Sequence, residues 1–266
     1  MRPARWRGEW AMCVLALAWE AHPNWRLVLA GNRDEMHARP AAPLRRWAAP
    51  DHLLAGQDLM SGGTWLGVSE QGRLAVVTNL RGFGLADAGR PSRGLLLRDL
   101  LGGEGRYANP VATDLAAFNP LNLITVQDGA ATFWSNQPAP ERRILPPAIY
   151  GLSNGGLDEP WPKTVRLKAI LRDWIEVGAA PAEALLDGLH EETLPPDGGP
   201  PTTPSDVPQE PAQSAIFIRN PVYGTRCSTV VAIDHAGQGL IVERRFDAAG
   251  AAEGETALPF SWPWPS

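Results

Sequence analysis

The 266 residues carry a formal net charge of −5, with 44% hydrophobic and 20% charged side chains. That describes a globular chain long enough for a sizeable core and excludes a broad nucleic-acid-binding surface. Cys13 and Cys227 are too few for a disulfide framework, so a reducing, cytoplasmic setting is expected, and no apolar run approaches the ~20 residues of a membrane-spanning helix.

Residues 1–11 include Arg2, Arg5 and Arg7 and lack the apolar centre of a secretory signal. They read as an extension: a transit-like segment, a tail, or the product of a start assigned upstream of the working one. A start at Met12, with the usual removal of an initiator Met, would leave Cys13 as the first residue. From there two apolar runs flank the turn Glu20-Ala-His-Pro-Asn24, the pattern of a β-hairpin. Antiparallel pairing would bring Cys13, at the start of the first strand, beside Asn32, Arg33, Asp34 and Glu35, at the end of the second. A guanidinium beside a thiol is a setting expected to lower the thiol pKa.

Leu53 to Asp58 is a further short strand. Gly62 to Val68 and Arg73 to Asn79 form a second hairpin around Gly72. Ser92 caps a predicted helix bearing Leu95, Leu96, Leu97, Leu100 and Leu101, closed by Gly102 and Gly103. Val111 to Phe118 reads as another short helix. Asp128-Gly129 turns a hairpin between Leu121–Gln127 and Ala131–Ser135. Trp161 or Pro162 opens a helix whose apolar stripe is Val165, Leu167, Ile170, Leu171 and Trp174, and Pro181 to Leu189 follows as a second. Residues 193–213, rich in Pro, Gly and Thr, read as a mobile loop. Strands return at Ser214–Arg219, Cys227–Asp234 and Leu240–Phe246. With strands at both ends and helices between, one α+β domain over residues 12–266 is expected.

Several motifs occur in a telling order: Met12-Cys13, Asn32-Arg33-Asp34-Glu35 with Arg39-Pro40, Gly62-Gly63-Thr64-Trp65-Leu66-Gly67, Thr78-Asn79, Tyr150-Gly151-Leu152-Ser153-Asn154 with Trp161, and Tyr223-Gly224-Thr225-Arg226. On these the chain resembles the NRDE family, also called the Transport and Golgi organisation protein 2 family, over nearly all of residues 12–260. That family is in turn similar to the N-terminal nucleophile hydrolases, above all the branch with penicillin V acylase and bile salt hydrolase. The resemblance implies an αββα four-layer sandwich. It also implies a catalytic set of Cys13, Arg33, Asp34, Asn154 and Arg226, with Asn79 as a further candidate. Asn32, Glu35, Trp65 and Tyr223 are the expected substrate contacts. One departure stands out, because Cys13 is not the first residue of the sequence.

In such a site the α-amine of an N-terminal Cys, with a pKa of about 7.7–8, takes the thiol proton. The sulfur attacks an amide or thioester carbonyl of a small acyl substrate to form an acyl-enzyme. The amides of Asn79 and Asn154 would stabilise the oxyanion. Arg33 would hold the thiolate or the carbonyl, and Asp34 would orient the amine. Arg226 would pair with Asp34, Glu35 or a substrate anion. Each residue also admits a plain packing role. Cys13 suits an apolar strand, Arg33-Asp34-Glu35 suits a strand-end ion-pair network, Asn79 and Asn154 suit turns, Arg226 suits a structural ion pair and Trp65 suits the core. Two further readings stand beside the enzyme. One is a carrier of haem or of a lipid or acyl-CoA chain, by resemblance to the eukaryotic family member; the other is a fold acting through protein contacts alone. The five His are scattered and Asp34 and Asp58 have no His in ligand spacing, so neither a resident cofactor nor a metal site is expected.

Overall fold

The computed structural model describes residues 13–178, 181–193 and 215–264. The expected extension at 1–11 and nearly all of the expected loop at 193–213 lie outside these residues.

The strands are β1 (Cys13–Trp19), β2 (Trp25–Met36), β3 (Ala41–Arg46), β4 (Leu53–Asp58), β5 (Leu66–Ser69), β6 (Arg73–Asn79), β7 (Leu121–Gln127), β8 (Ala130–Ser135), β9 (Glu141–Ile144), β10 (Ala148–Leu152), β11 (Tyr223–Asp234), β12 (Gln238–Phe246) and β13 (Ala252–Ser261). They form two sheets, a six-stranded one in the order β10-β1-β2-β11-β12-β13 and a seven-stranded one running β3 through β9 in chain order. The helices are α1 (Arg93–Gly102), α2 (Pro162–Val177) and the one-turn α3 (Leu185–Gly188).

Alternation along β1 shows how the layers stack. Leu15, Leu17 and Trp19 point into the space between the sheets, where they meet Leu54, Leu66, Val68, Leu74 and Val76. Val14, Ala16 and Ala18 point the other way, onto Leu167, Leu171 and Trp174 of α2 and Leu185 and Leu186 of α3. With both faces covered, all seven residues of β1 are buried, which is why the run reads as continuously apolar rather than alternating. On the far side, Leu96, Leu97, Leu100 and Leu101 of α1 cover Leu53, Ala55, Ala75 and Val77. At roughly 1.5–3 kcal/mol per buried aliphatic side chain, these three interfaces supply the main drive for the fold. The layer order α1, seven-stranded sheet, six-stranded sheet, α2–α3 is an αββα sandwich, the expected α+β class.

Caps and turns follow the expected chemistry in most places. Ser92 Oγ accepts from the Leu95 N–H, and Gly103 closes α1 at φ 69°. Pro162 occupies the first turn of α2, and Asp128 and Gly129 both take positive φ in the β7–β8 turn. Gly63 marks a close approach, since a Cβ there would sit 2.1 Å from the carbonyl carbon of Gly94, so this glycine lets the start of α1 pack on the β4–β5 connection.

Three expectations change. Val111–Phe118 is not a helix; only Leu115–Ala117 makes one 3-10 turn, started by the Asp114 side chain. Among the described residues Pro181–Leu189 is not one helix but a 3-10 turn at Ala182–Ala184 leading into α3. The described part of Ser214–Arg219 joins no sheet; Ile216 and Phe217 are buried there by their side chains. Among the described residues no helix is long and apolar enough to cross a membrane.

Candidate active site

The register of the six-stranded sheet builds the site. Cys13 of β1 lies opposite Arg33 of β2. Arg33 lies opposite Cys227 of β11, and Cys227 opposite Arg245 of β12. Directly opposed residues share a face, so Cys13, Arg33, Cys227 and Arg245 form one line across four strands. All four border a cavity of about 1120 Å³ at the end of the inter-sheet space where β1 begins. Gly56, Asp58, Trp65, Val77 and Asn79, together with Arg90 and Arg93, close it from the other side.

The ladder between β1 and β10 ends at Leu15–Leu152, which leaves the backbone groups of Cys13 to side chains just beyond β10. Asn154 Oδ1 accepts from the Cys13 N–H at 3.3 Å, and Ser153 Oγ donates to the Cys13 carbonyl at 2.7 Å. Asn154 Nδ2 donates to the Asn79 carbonyl at 2.8 Å, and the Asn154 carbonyl accepts from the Arg81 N–H. Asn154 therefore ties the start of β1 to the end of β6, one strand from each sheet, and is more than a turn residue.

Asp34 is 1% exposed. Its Oδ1 accepts from Thr225 Oγ1 at 2.6 Å, while Oδ2 is buried with no hydrogen-bond partner among the described residues. Burial pushes its carboxyl up to about 7 against the opposing pull of Lys163, the Thr225 hydrogen bond and Arg33. The Cys13 thiol is pushed up to about 12, first by burial and then by the charge of Asp34, and the Asp34 N–H and Arg33 do not offset this. The expectation that Arg33 would lower the thiol pKa is thus reversed in the chain that still carries residues ahead of Cys13: desolvation outweighs one neighbouring cation.

Glu35 borders the cavity and takes the Met36 N–H. Its Oε2 stands 3.6 Å from both Arg33 and Arg39, and Arg39 also binds Asp58. Arg226 sits at the bulge where the β2–β11 register shifts between Thr225 and Cys227, the kind of irregularity that re-aims a side chain. Its Nη1 donates to the carbonyls of Met36, His37 and Arg39 at 3.0, 3.1 and 3.0 Å. The expected pairing with Asp34 or Glu35 is replaced by this clamp on the chain leaving β2.

Two expected substrate contacts fall elsewhere. Neighbours in a strand face opposite ways; Asn32 therefore points to the helix-covered face. Its amide donates to the Leu189 and Ile216 carbonyls and accepts from Ser228 Oγ, so it is a structural anchor away from the cavity. Tyr223, at the start of β11 opposite Met36, does not border the cavity either. Trp65 does, while packing on the inter-sheet core.

Arg93 was not singled out by the sequence reading. It is the first residue of α1, donates to the Pro120 carbonyl at 2.8 Å and borders the cavity. Burial lowers its pKa to about 10, opposed by the nearby Cys13 and Glu35. The available signal was a cation in the first turn of a helix, where the dipole disfavours it. Glu243, also missed, borders the cavity and accepts from the Leu44 N–H at 2.8 Å, joining the two sheets at the far side. Among the described residues no group of three or more His, Cys, Asp or Glu is placed to hold a metal ion.

The family model described as Transport and Golgi organisation 2 matches residues 12–248. The Transport and Golgi organization protein 2 homolog of Bos taurus is 31% identical over 268 residues, covering 92% of this chain and 97% of that protein. The Homo sapiens homolog is 30% identical, covering 88% of this chain and 92% of its own length. Among solved structures, the Caenorhabditis elegans N-acylethanolamine-hydrolyzing acid amidase ortholog aligns with a TM-score of 0.48 at 14% identity, over 82% of this chain and 92% of that one.

Proposed function

Taking as premise that the chain belongs to the Transport and Golgi organisation 2 family, we propose that it is a cysteine hydrolase or acyltransferase of the N-terminal nucleophile kind. Its substrate is an amide or thioester of a small acyl compound, and its working form begins at Cys13. The observation that carries this reading is the Asn154–Cys13 contact. A side chain from a distant segment is spent on the backbone nitrogen of a thiol-bearing residue at the cavity wall, with a buried carboxylate, Asp34, beside it.

With residues ahead of Cys13 removed, that nitrogen becomes an amine of pKa about 7.7–8, held by Asn154 and faced by Asp34. The amine takes the thiol proton as sulfur bonds to the substrate carbonyl carbon. Amide N–H groups of Asn79 and Asn154 receive the developing oxyanion, with Arg33 and Arg93 adding positive potential. Collapse breaks the C–N or C–S bond, and the ammonium returns its proton to the leaving group. Water, deprotonated by the same amine, or an acceptor nucleophile then releases the acyl group from sulfur. Arg226 fixes the β2 exit that forms one wall, and Trp65 and Glu35 border the substrate space. None of the five His is among the residues lining the cavity.

Thiol reactivity against pH tests the dependence on a free amine. In the chain that keeps its preceding residues, a thiol pKa of about 12 leaves almost no thiolate at pH 7, so alkylation of the Cys13 peptide by iodoacetamide rises about tenfold per pH unit up to that pKa. The form beginning at Cys13 is expected to label at least about 100-fold faster at pH 7. Equal rates for the two forms contradict the reading.

A further inference from the structure

A bulge in β3 accounts for half of what Glu243 does. The register between β3 and β4 shifts between Ala42 and Arg45, which takes the Leu44 N–H out of the ladder. Glu243 Oε1 reaches across from β12 and accepts from that N–H at 2.8 Å. Such a latch needs one oxygen and no charge, and an amide would serve. A carboxylate stands there instead, 5% exposed, with Arg245 at 3.9 Å from the same oxygen, beyond hydrogen-bond reach. Burial raises its pKa, against the pull of the Leu44 N–H, Arg245, Cys227 and Arg33.

The second oxygen, Oε2, lies beside Gly56 of β4. Both residues border the cavity, and a Cβ on Gly56 would come within 3.0 Å of Oε2. Gly56 has no positive φ and the bulge lies in the neighbouring strand, so no backbone conformation requires a glycine. Glycine inside a strand weakens it and marks a place where another group approaches closely. Three strand spacings and two residues separate Cys13 from Glu243, about 15 Å along the sheet, which an extended chain spans in about a dozen bonds. Trp65, Val77, Ala42 and Pro43 add apolar wall to the same cavity, which suits a hydrocarbon chain.

We propose that Glu243 is a specificity-determining residue: its Oε2, kept open by Gly56, accepts a hydrogen bond from a hydroxyl at the far end of an acyl chain whose carbonyl lies at Cys13. The tip must be a donor, because a carboxylate oxygen only accepts. A cationic tip is disfavoured by Arg245 and Arg226, which border the same cavity, and an anionic tip by Glu243 itself. The inference rests on the reading of this cavity as an acyl-substrate site, and it names the acyl class as hydroxyl-tipped and about a dozen bonds long.

Isothermal titration calorimetry on the full chain, with ω-hydroxydodecanamide and ω-fluorododecanamide, tests this without turnover. Fluorine is close to a hydroxyl in size and cannot donate. The hydroxyl compound is expected to bind about tenfold tighter. Glu243→Gln keeps an oxygen for the Leu44 N–H but loses the charge, and is expected to cut that preference by about threefold or more. Gly56→Ala sets a Cβ against Oε2 and brings the preference within about twofold. Equal affinity of the wild type for the two amides, binding of neither, or a preference untouched by Glu243→Gln overturns the proposal. Where Glu243→Gln does not fold, Gly56→Ala decides, and an unchanged preference there overturns it. A hydroxyl preference in binding, with neither amide cleaved by a form beginning at Cys13, upholds the subsite and contradicts the hydrolase reading. Cleavage of both amides with equal affinity and equal kcat/KM does the reverse.

Discussion

Cys13→Ala, made in the form that begins at residue 13, is expected to lower the turnover of amide and thioester substrates by at least about 10³-fold while leaving the fold intact. The size follows from the chemistry, since the thiol forms the covalent bond and no other group lining the cavity is positioned to replace it. Cys227, the second thiol, lies two strands away across Arg33, and burial and the Glu243 charge hold its pKa well above the ordinary thiol value. It also lacks an adjacent amine to act as base. Stability is little affected, because Cys13 and Ala are both small and β1 keeps its other buried side chains. The check is a kcat/KM comparison on short-chain acyl thioesters and anilides, with circular dichroism on the same samples. Turnover within tenfold of the parent would remove Cys13 from the mechanism.

Asn154→Ala is expected to damage both stability and rate. The substitution strips partners from the Cys13 backbone nitrogen and from the Asn79 carbonyl, which Asn154 holds at 3.3 and 2.8 Å. Asn154 is itself fully buried, so water cannot readily replace the lost bonds, and a cost of about 2–4 kcal/mol follows. In the rate, loss of one oxyanion donor is worth about 10²–10³-fold. A urea titration separates the two effects, because a variant kept well below its unfolding midpoint still shows the slower chemistry. A purely structural Asn154 would lower the midpoint and leave kcat of the folded fraction unchanged.

The first hairpin was legible because its parts are local: two apolar runs, a Pro-Asn turn, and an antiparallel register that sets Cys13 opposite Arg33. The layer order was not readable from spacing; it came from the family resemblance, and burial on both faces of β1 shows why periodicity could not supply it. Three of the strands that the sequence hid have little core to bury. Strand β9 is exposed along its whole length, β13 buries one residue, and β3 contains Pro43 and buries only Leu44. Ser214–Arg219 misled for the opposite reason, since Ile216 and Phe217 are buried against neighbours without joining a ladder.

The site divided along the same line. The pairing of β2 with β11 joins segments such as Asp34 and Thr225 that are 191 positions apart and brings Cys227 and Thr225 to the site by register alone, which no local pattern encodes. Asn32 was, by contrast, decidable from sequence, because four consecutive strand residues cannot all face one pocket. Arg226 was found as a residue but not as a clamp, because its aim depends on a bulge. Arg93 carried one signal, a cation in the first turn of a helix.

The central claim is that Cys13 acts as an N-terminal nucleophile, and the intact mass of natively expressed, active protein tests it most directly. The account predicts a mass for a chain beginning at Cys13, shifted by one acyl group on that residue when a slow thioester substrate is added. Active protein that retains the residues ahead of Cys13, and turns over substrate with no adduct on the thiol, would contradict it.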